Sequence, residues 1–234
     1  MKVAIVGYGK MGKEIEKILI EREHTIVCKL QTKPTVDDLK DVDVAIEFSN
    51  PEAAFENIKF LLENKIPTIS GTTGWTDRLD EIIQINEENN AAFLYASNFS
   101  LGVNLFFELN AHLAQLMAKY PEYKAELEEI HHTQKIDKPS GTAITLAEQI
   151  LTQGNYSNWE SDQKSAEENL PIYSKRIDHT PGTHTITYTS EIDDISITHT
   201  AHNRKGFAFG AVLAAEWIKD KKGYFSMKNV LNLK

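Results

Sequence analysis

The first hundred residues alternate between short apolar runs and longer segments in which apolar residues recur every three or four positions. The runs KVAIV, TIVCKL, VDVAIEF, IPTIS and AAFLYAS predict β-strands. The segments between them, including PEAAFENIKFLLENK and DRLDEIIQINEENN, have the spacing of amphipathic helices. Strands that alternate with helices of this length predict crossover units and a parallel sheet.

The pattern changes after about residue 103. The leucine spacing of NLFFELNAHLAQLMAKY predicts a helix, and KAELEEIHH, GTHTITYTS and DDISITHTA then alternate in polarity at period two. These three segments predict strands of an open antiparallel or mixed sheet, whose threonine-rich faces are solvated or pack against a copy of themselves. The segment GFAFGAVLAAEWIKDKKG predicts a helix of small residues, and SNWESDQKSAEEN predicts a loop or a frayed helix.

Composition narrows the class of protein. The chain has 234 residues, 41% of them hydrophobic, which suits an ordinary packed core. Its formal net charge of −9 argues against a nucleic-acid partner, because binders of phosphate backbones usually present a basic face. No run approaches the roughly 18 apolar residues of a membrane span, and the N-terminus lacks a signal-peptide pattern. We therefore expect a cytoplasmic protein without a membrane partner.

The only cysteine, Cys28, lies within the apolar run TIVCKL. One cysteine excludes an intramolecular disulfide, which fits a reducing compartment. We expect a buried structural thiol rather than a reactive one.

The segment GYGKMG places Gly7, Gly9 and Gly12 at the G-x-G-x-x-G spacing, after a predicted strand and at the start of a predicted helix. In that context glycines permit a tight turn and let backbone N–H groups approach a pyrophosphate. The segment predicts dinucleotide binding, with a purely structural turn as the alternative.

The residues after the second predicted strand bear on the choice of cofactor. An acidic residue there usually holds the ribose 2′-hydroxyl of NAD, but Gln31, Thr32 and Lys33 follow TIVCKL. Lys33 is either a contact for the 2′-phosphate of NADP or a solvated surface lysine. The residues therefore leave NADH and NADPH both open.

Two polar turns, GTTGW (residues 71–75) and ASNFS (residues 96–100), follow later predicted strands. Ligands of an open parallel sheet lie outside the carboxyl ends of its strands, so these turns would flank a bound nicotinamide. Gly, Ser, Thr and Asn are also common in turns that bind nothing, which is the alternative for each turn. We expect Trp75 and Phe99 to be packing residues rather than stacking platforms.

The densest polar chemistry lies in EEIHHTQKIDKPSGTA, residues 128–143. On a strand His131 and His132 point to opposite faces, so we expect them to have different tasks. Lys135 follows the strand and can fold back toward one of the histidines.

The same segment has the chemistry of a helix start. Ser140 is the expected N-cap, and the backbone N–H groups of Gly141 and Thr142 are then exposed. A helix N-terminus beside a lysine and histidines favours a carboxylate or another small anion.

Two other interpretations of these histidines stay open. The first is a metal site, but the segment has no third ligand at compact spacing and no H-E-x-x-H pattern. The second is that both are ordinary surface or core histidines without a functional role. We expect no metal and favour an anion-binding acid/base site beside a dinucleotide fold.

The segment ELEEIHHTQKIDKPSGTA resembles the signature of the 4-hydroxy-tetrahydrodipicolinate reductase family, also called dihydrodipicolinate reductases. Similar segments run along nearly the whole chain: GYGKMG, EFSNPEAA, GTTGW, ASNFSLGVN and HNRKGFAFGAVLAAEW. The resemblance implies reduction of a small cyclic dicarboxylate, 4-hydroxy-2,3,4,5-tetrahydrodipicolinate, by NADH or NADPH with loss of water, in the diaminopimelate route to lysine.

The resemblance also implies residue roles. His131 would be the acid/base residue and Lys135 the proton donor, while His132 and the backbone of Gly141 and Thr142 would bind the substrate carboxylates. The cofactor contacts that it implies are Gly7, Tyr8, Gly9, Lys10, Met11, Gly12, Gly71, Thr72, Thr73, Ala96, Ser97, Asn98 and Phe99.

The architecture implied by the resemblance is α/β with two domains. A Rossmann-like dinucleotide-binding domain would comprise residues 1–103 and 204–234, and a substrate-binding and tetramerisation α+β domain residues 104–203, in a homotetramer. The chain is short for the family between TIVCKL and VDVAIEFSN. A related two-domain amino-acid or semialdehyde dehydrogenase and a nonenzymatic dinucleotide-sensing protein are the alternatives.

Overall fold

The computed structural model describes residues 1–161, 166 and 168–233. The chain forms two compact units, Met1–Leu101 with Arg204–Lys234 (unit 1) and Gly102–Asn203 (unit 2). Each unit contains one sheet and its own hydrophobic core.

The strands, in chain order, are β1 (Lys2–Val6), β2 (Thr25–Leu30), β3 (Val44–Glu47), β4 (Thr68–Ser70), β5 (Ala92–Tyr95), β6 (Lys124–His131), β7 (Asn158–Ser161), β8 (Asn169–Arg176), β9 (Gly182–Thr189), β10 (Asp194–Ala201) and β11 (Gly223–Phe225). The α-helices are α1 (Lys10–Glu21), α2 (Pro51–Glu63), α3 (Leu79–Glu88), α4 (Leu101–Met117), α5 (Gly141–Leu151), α6 (Lys205–Ile218) and α7 (Met227–Val230). Short 3₁₀ turns cover Asp37–Leu39 and Thr76–Arg78. None of the described helices is long and apolar enough to cross a bilayer.

Unit 1 is built on a six-stranded parallel sheet with the order β11-β5-β4-β3-β1-β2. The chain runs outward from β1 in both directions, so the order reverses between β1 and β3. That reversal is the switch point at which doubly wound sheets bind dinucleotides. The parallel sheet confirms the predicted Rossmann-like fold class.

The central strands of unit 1 are covered on both faces, which explains their unbroken apolar sequences. Val3 and Ile5 of β1 pack with α1 and α6, whereas Ala4 and Val6 pack with Leu61 of α2. The chain then enters α2 through a capped start, with Asn50 Oδ1 accepting from the backbone N–H of Ala53 at 2.9 Å. These helices fix the turns at the carboxyl ends of the strands.

Unit 2 contains a five-stranded mixed sheet with the order β10-β9-β6-β8-β7. The β6–β9 and β9–β10 pairs are antiparallel, and the β6–β8 and β7–β8 pairs are parallel. Helices α4 and α5 pack on one face, while the outward face of β9 and β10 carries hydroxyl pairs such as Thr185 with Thr198, 3.1 Å apart. The predicted open mixed sheet is confirmed.

The prediction for SNWESDQKSAEEN was wrong at its start. Asn158–Ser161 is strand β7, and residues 162–165 and 167 lie outside the described residues. Trp159 pairs with Leu170 of β8 and packs against the unit 2 core, so tertiary contact outweighs the polar local sequence. Strand β8 itself was not predicted. Its buried residues alternate clearly, but Pro171 and the basic residues at the end of the strand make the sequence untypical of a strand.

Candidate active site

The alternation of β6 carries polar side chains into the interior of unit 2. Ala125, Leu127, Glu129 and His131 share the buried face, and Glu129 has no exposed surface. The sheet register places Ser174 of β8 and His184 of β9 directly beside Glu129. A buried polar cluster therefore follows from strand pairing alone, and a slip of one residue would disperse it.

Glu129 is the centre of this cluster. Its Oε2 lies 3.1 Å from His131 Nδ1, its Oε1 lies 3.1 Å from Arg176 Nη2, and both oxygens lie 3.2 Å from the Ser140 backbone nitrogen. Burial acts to raise the pKa of Glu129, but hydrogen bonding with His131, Ser140 and Ser174 lowers it well below the ordinary value. The carboxylate is therefore ionised at neutral pH.

His184 completes the cluster from β9. Its Nε2 lies 3.2 Å from Ser140 Oγ, and its ring meets the His131 ring edge-on with centroids 5.1 Å apart. Burial, reinforced by nearby His131, lowers the pKa of His184 to about 3. A side-chain carbon at Gly182 would come within 3.1 Å of His131 Nε2, so the ring has little room on that side.

Arg176, the last residue of β8, pins the loop between β6 and α5. Its guanidinium donates to the carbonyl oxygens of Lys135 (3.2 Å) and Asp137 (2.5 Å) while also binding Glu129. The Lys135 ammonium pairs with the Asp137 carboxylate at 2.7 Å, rather than with a histidine as the sequence suggested. His132, just before this loop segment, is half-buried, and its backbone carbonyl accepts from the backbone N–H of Lys135 at 3.1 Å.

The start of α5 has the properties of an anion site. Ser140 caps the helix as predicted, with Oγ accepting from the backbone N–H of Ala143 at 3.2 Å. Gly141 is exposed, with open space where a side chain would stand, and Thr142 is half-buried. First-turn N–H groups have no partner within the helix, so a carboxylate would be stabilised here.

The glycine turn of unit 1 is closely packed. Gly7 has φ +94°, and a side-chain carbon there would lie 2.0 Å from the carbonyl oxygen of Phe48. A side chain at Gly12 would lie 2.5 Å from the carbonyl oxygen of Gly7, so α1 can approach the turn only with glycine. Gly9 and Lys10 are exposed at the helix start, where N–H groups suit a pyrophosphate.

The other side chains of this turn contact residues of unit 1. Met11 is half-buried against the unit 1 core. The Tyr8 hydroxyl donates to Glu16, and Lys29 Nζ lies 3.1 Å from Glu16 and 5.2 Å from the Tyr8 ring centroid. These contacts tie α1 to the end of β2.

The predicted turn after β4 lies beside the end of β3. The Gly71 backbone N–H donates to the Glu47 carbonyl at 3.0 Å, Thr72 is buried and Thr73 is exposed. Trp75 is buried in the core, as expected.

The predicted turn after β5 lies at the same sheet edge. The Ala96 backbone N–H donates to the Ser70 carbonyl at 3.2 Å, Ser97 is exposed, and Asn98 Oδ1 accepts from the Ser100 backbone at 2.9 Å. Phe99 is only 2% exposed, so its side chain packs in the core and only its backbone can face a ligand.

Lys33 lies beyond the end of β2 with Gln31 and Thr32, all three exposed. Its Nζ is 3.6 Å from Glu56 Oε2 on α2. A 2′-phosphate would therefore compete with Glu56 for this ammonium.

Four members of the unit 2 cluster were missed by sequence reasoning: Glu129, Ser174, Arg176 and His184. Glu129 carried a signal, because it stands on the apolar face of an alternating strand, and His184 carried the same signal on β9. Arg176 carried none, since β8 was not predicted.

Glu129, His131 and His184 each offer one ligand atom within 4.8 Å of the others, a grouping that compact sequence spacing could not reveal. Both oxygens of Glu129 already accept hydrogen bonds, and the Arg176 guanidinium would repel a divalent cation. The donors present therefore suit a hydrogen-bonded acid/base cluster better than a metal.

Comparison with known proteins decides the family. The model described as dihydrodipicolinate reductase, N-terminus, matches residues 1–99, and the model described as dihydrodipicolinate reductase, C-terminus, matches residues 102–231. The chain belongs to the dihydrodipicolinate reductase family. This confirms the resemblance carried by the HHTQKIDKPSGTA segment.

Relatives from distant organisms agree with the family. A 4-hydroxy-tetrahydrodipicolinate reductase of Christiangramia forsetii is 53% identical over 235 aligned positions, covering 99% of this chain and 98% of the relative. One from Methanocaldococcus jannaschii is 31% identical, covering 100% and 98%. A solved dipicolinate-bound dihydrodipicolinate reductase from Paenisporosarcina sp. TG-14 superposes with a TM-score of 0.78 at 25% identity, covering 97% of each chain.

Proposed function

We propose that this protein reduces 4-hydroxy-2,3,4,5-tetrahydrodipicolinate to 2,3,4,5-tetrahydrodipicolinate, with loss of water, in the diaminopimelate route to lysine. One hydride comes from NADH or NADPH and one proton from the protein, and water leaves with the substrate hydroxyl. The proposal rests on the loop between β6 and α5, which is held between a buried acid/base cluster and a helix start. The chain also matches the family over both units.

Unit 2 supplies the substrate site in this proposal. His131 is the acid/base residue, held by Glu129, and Lys135 donates the proton that balances the arriving hydride. His132 and the α5 start, with Gly141 and Thr142, bind the carboxylates. The relative solved with dipicolinate, a ring dicarboxylate, supports this substrate class.

Unit 1 supplies the cofactor site. The Gly7–Gly12 turn would hold the pyrophosphate, and residues 71–73 and 96–99 would flank the nicotinamide at the carboxyl edge of the sheet. Bound NAD(P)H provides the hydride. We propose that Lys33 recognises the 2′-phosphate of NADPH when Glu56 releases it, which leaves both cofactors usable.

Assembly and location are further parts of the proposal. The open, hydroxyl-rich face of the unit 2 sheet would pack against another copy to build a homotetramer, which light scattering on the purified protein would measure. The free thiol of Cys28, half-buried with a pKa raised by burial, is consistent with the cytoplasm.

The test is turnover by purified protein. Nicotinamide absorbance is followed with the condensation product of pyruvate and aspartate semialdehyde, using NADH and NADPH separately. Lys135→Ala should lower kcat about 10²- to 10⁴-fold, the usual contribution of a positioned proton donor, while cofactor binding is retained. Lys175→Ala is the matched control, since that lysine pairs with Glu128 on the outward side of the sheet.

Turnover that is lost in Lys135→Ala and retained in Lys175→Ala supports the proposal. Cofactor binding without turnover in the unaltered protein would contradict it and favour a dinucleotide-sensing protein. Turnover that survives Lys135→Ala would remove that lysine as the proton donor.

A further inference from the structure

Glu47, the last residue of β3, is fully buried in unit 1 and has no place in the mechanism above. The sheet register sets it between Val6 of β1 and Ser70 of β4. Its carboxyl group accepts from the backbone N–H of Ser49 (2.9 Å), the Ser49 hydroxyl, Ser70 Oγ (2.6 Å) and Thr72 Oγ1 (3.0 Å). The donors come from the turn after β3 and from the end of β4 with its following turn.

The carboxyl group of Glu47 is thus held by hydroxyl groups and by a backbone amide. Within the described part of the chain, no lysine, arginine or histidine nitrogen lies within ion-pair distance of Glu47. Burial raises its pKa although hydrogen bonds from Ser49, Ser70 and Thr72 act to lower it. Hydrogen bonds alone therefore offset the cost of burying this acid, and they come from the turns after β3 and β4.

The turns after β3 and β4, which Glu47 joins, also pack closely against the glycine turn after β1. The Ser49 backbone N–H donates to Thr72 Oγ1 at 2.9 Å, and the Phe48 N–H donates to the Val6 carbonyl at 2.7 Å. A side chain at Gly71 would lie 2.2 Å from the Phe48 ring, just as one at Gly7 would strike the Phe48 carbonyl. A displacement of the turn after β3 must therefore move its neighbours.

The strand order of the sheet indicates which half of a bound dinucleotide the turns after β3 and β4 would contact. The glycine turn after β1 receives the pyrophosphate, and the end of β2 receives the adenosine ribose. Strands β3 and β4 lie on the other side of β1, so their turns meet the nicotinamide half.

We propose that Glu47 is a positioning residue for the nicotinamide half of the cofactor. It acts through residues 48–50 and 71–73, which its carboxyl group holds together, and it touches neither substrate nor cofactor. The proposal rests on the proposed function, because it requires a nicotinamide dinucleotide at this edge of the sheet.

The test compares a whole cofactor with a fragment. Glu47→Gln keeps the side-chain size but replaces one accepting oxygen with an NH₂ group, so either the donors of Ser49 and Thr72 or the Ser70 hydroxyl lose their acceptor. Dissociation constants for NADPH and for ADP-ribose, which lacks the nicotinamide, are measured by calorimetry. We expect Glu47→Gln to weaken NADPH about tenfold, the loss expected when one hydrogen bond is removed, and ADP-ribose by less than about twofold.

Two further variants keep the result interpretable. Asn86→Ala is the matched control, because Asn86 is fully buried on α3 and its amide has no hydrogen-bond partner among the described residues. It should leave the ratio of the two constants unchanged. Glu47→Asp retains a carboxyl group on a shorter side chain and serves if Glu47→Gln does not fold.

A selective loss of NADPH affinity in either Glu47 variant supports the proposal. Equal weakening of both ligands, or no change in either, overturns it. A protein that binds NADPH but does not turn over the substrate contradicts the proposed function alone, whereas one that binds no dinucleotide overturns both.

Discussion

Each unit of the described chain buries one glutamate completely, and the two are held in opposite ways. Glu47 in unit 1 meets hydroxyl and backbone donors, and burial raises its pKa. Glu129 in unit 2 also has no exposed surface but faces Arg176 and His131, and its pKa is lowered. The charged and hydrogen-bonding partners of a buried acid thus offset the effect of burial on its pKa.

The difference matches two tasks. A fixed negative charge at Glu129 can hold the His131 ring and the Arg176 guanidinium in one geometry throughout an acid/base cycle. Glu47 instead ties turns together through one backbone N–H group and three hydroxyl groups, and the hydroxyl groups can donate or accept.

The largest effect should come from Glu129→Leu. It leaves the Arg176 guanidinium without its partner in unit 2, and the loss of one member of a buried pair costs about 3–5 kcal/mol. Hydrogen exchange of β6 and β9 peptides measures that loss, and we expect kcat to fall at least about 10²-fold because His131 loses its support.

Glu128→Leu is the control for that change. Glu128 is the adjacent residue on the same strand, but it faces outward and pairs with Lys175. A similar loss of kcat in both variants would refute the special role of Glu129.

The two buried clusters, around Glu47 and around Glu129, should contribute to acid sensitivity with opposite sign. His184 has a folded-state pKa of about 3 against an ordinary 6.5, so the unfolded chain binds more protons between those values. Stability of unit 2 therefore falls as pH drops from 6.5 toward 3, by roughly 3–5 kcal/mol from this residue. The Glu129 contribution is likewise lost as pH falls below its ordinary value of 4.5.

Glu47 acts in the other direction. Its pKa is raised, so the folded state retains a proton that the unfolded chain gives up at 4.5, and its effect on stability becomes less favourable as pH rises through the folded-state pKa. Hydrogen exchange followed separately in β3 and β6 peptides between pH 3 and pH 7 should show this, with His184→Gln flattening only the β6 response. Identical pH profiles in both strands would contradict the comparison.

These clusters also show where sequence reasoning succeeds. Strands such as VAIV are apolar without interruption because both faces of a parallel sheet are covered, so unit 1 was predicted. Ser140 was predicted as a helix cap from the local sequence alone. His131 and Lys135 were singled out by the density of polar residues in one continuous segment, and the roles that the resemblance implies for them stay predictions.

What sequence reasoning missed depends on pairing between distant strands. Glu129 meets His184 and Ser174 only because β9 and β8 flank β6 in one register. Glu47 meets Ser70 in the same way through β3 and β4. Local propensity carries no information about such registers, so neither cluster could be assembled beforehand.

A smaller effect is expected from Gly182→Ala. The new carbon would lie 3.1 Å from His131 Nε2 and must displace the ring by a few tenths of an ångström. We expect a fall in kcat of roughly tenfold with a loss of about 1 kcal/mol in stability, measured by steady-state kinetics and denaturant unfolding. Thr183→Ala, on the outward side of β9, should change neither; equal kinetics in the two variants would show that the His131 ring tolerates displacement.

The smallest effect concerns cofactor choice. Glu56→Gln should release Lys33 and strengthen NADPH binding relative to NADH by up to about fivefold, since an exposed pair contributes less than about 1 kcal/mol. Lys33→Ala should move the preference the other way, as measured by KM for each cofactor. No change in either ratio would show that Lys33 is a solvated surface residue.

The most direct test of the reductase account follows deuterium rather than absorbance. NADPH labelled with deuterium at the transferable position of nicotinamide C4 is incubated with the protein and the condensation product of pyruvate and aspartate semialdehyde, and the product is examined by mass spectrometry. The account predicts tetrahydrodipicolinate heavier by one deuterium with the unaltered protein, and almost none with Lys135→Ala. Unlabelled product, or no reduced product despite bound NADPH, would contradict it.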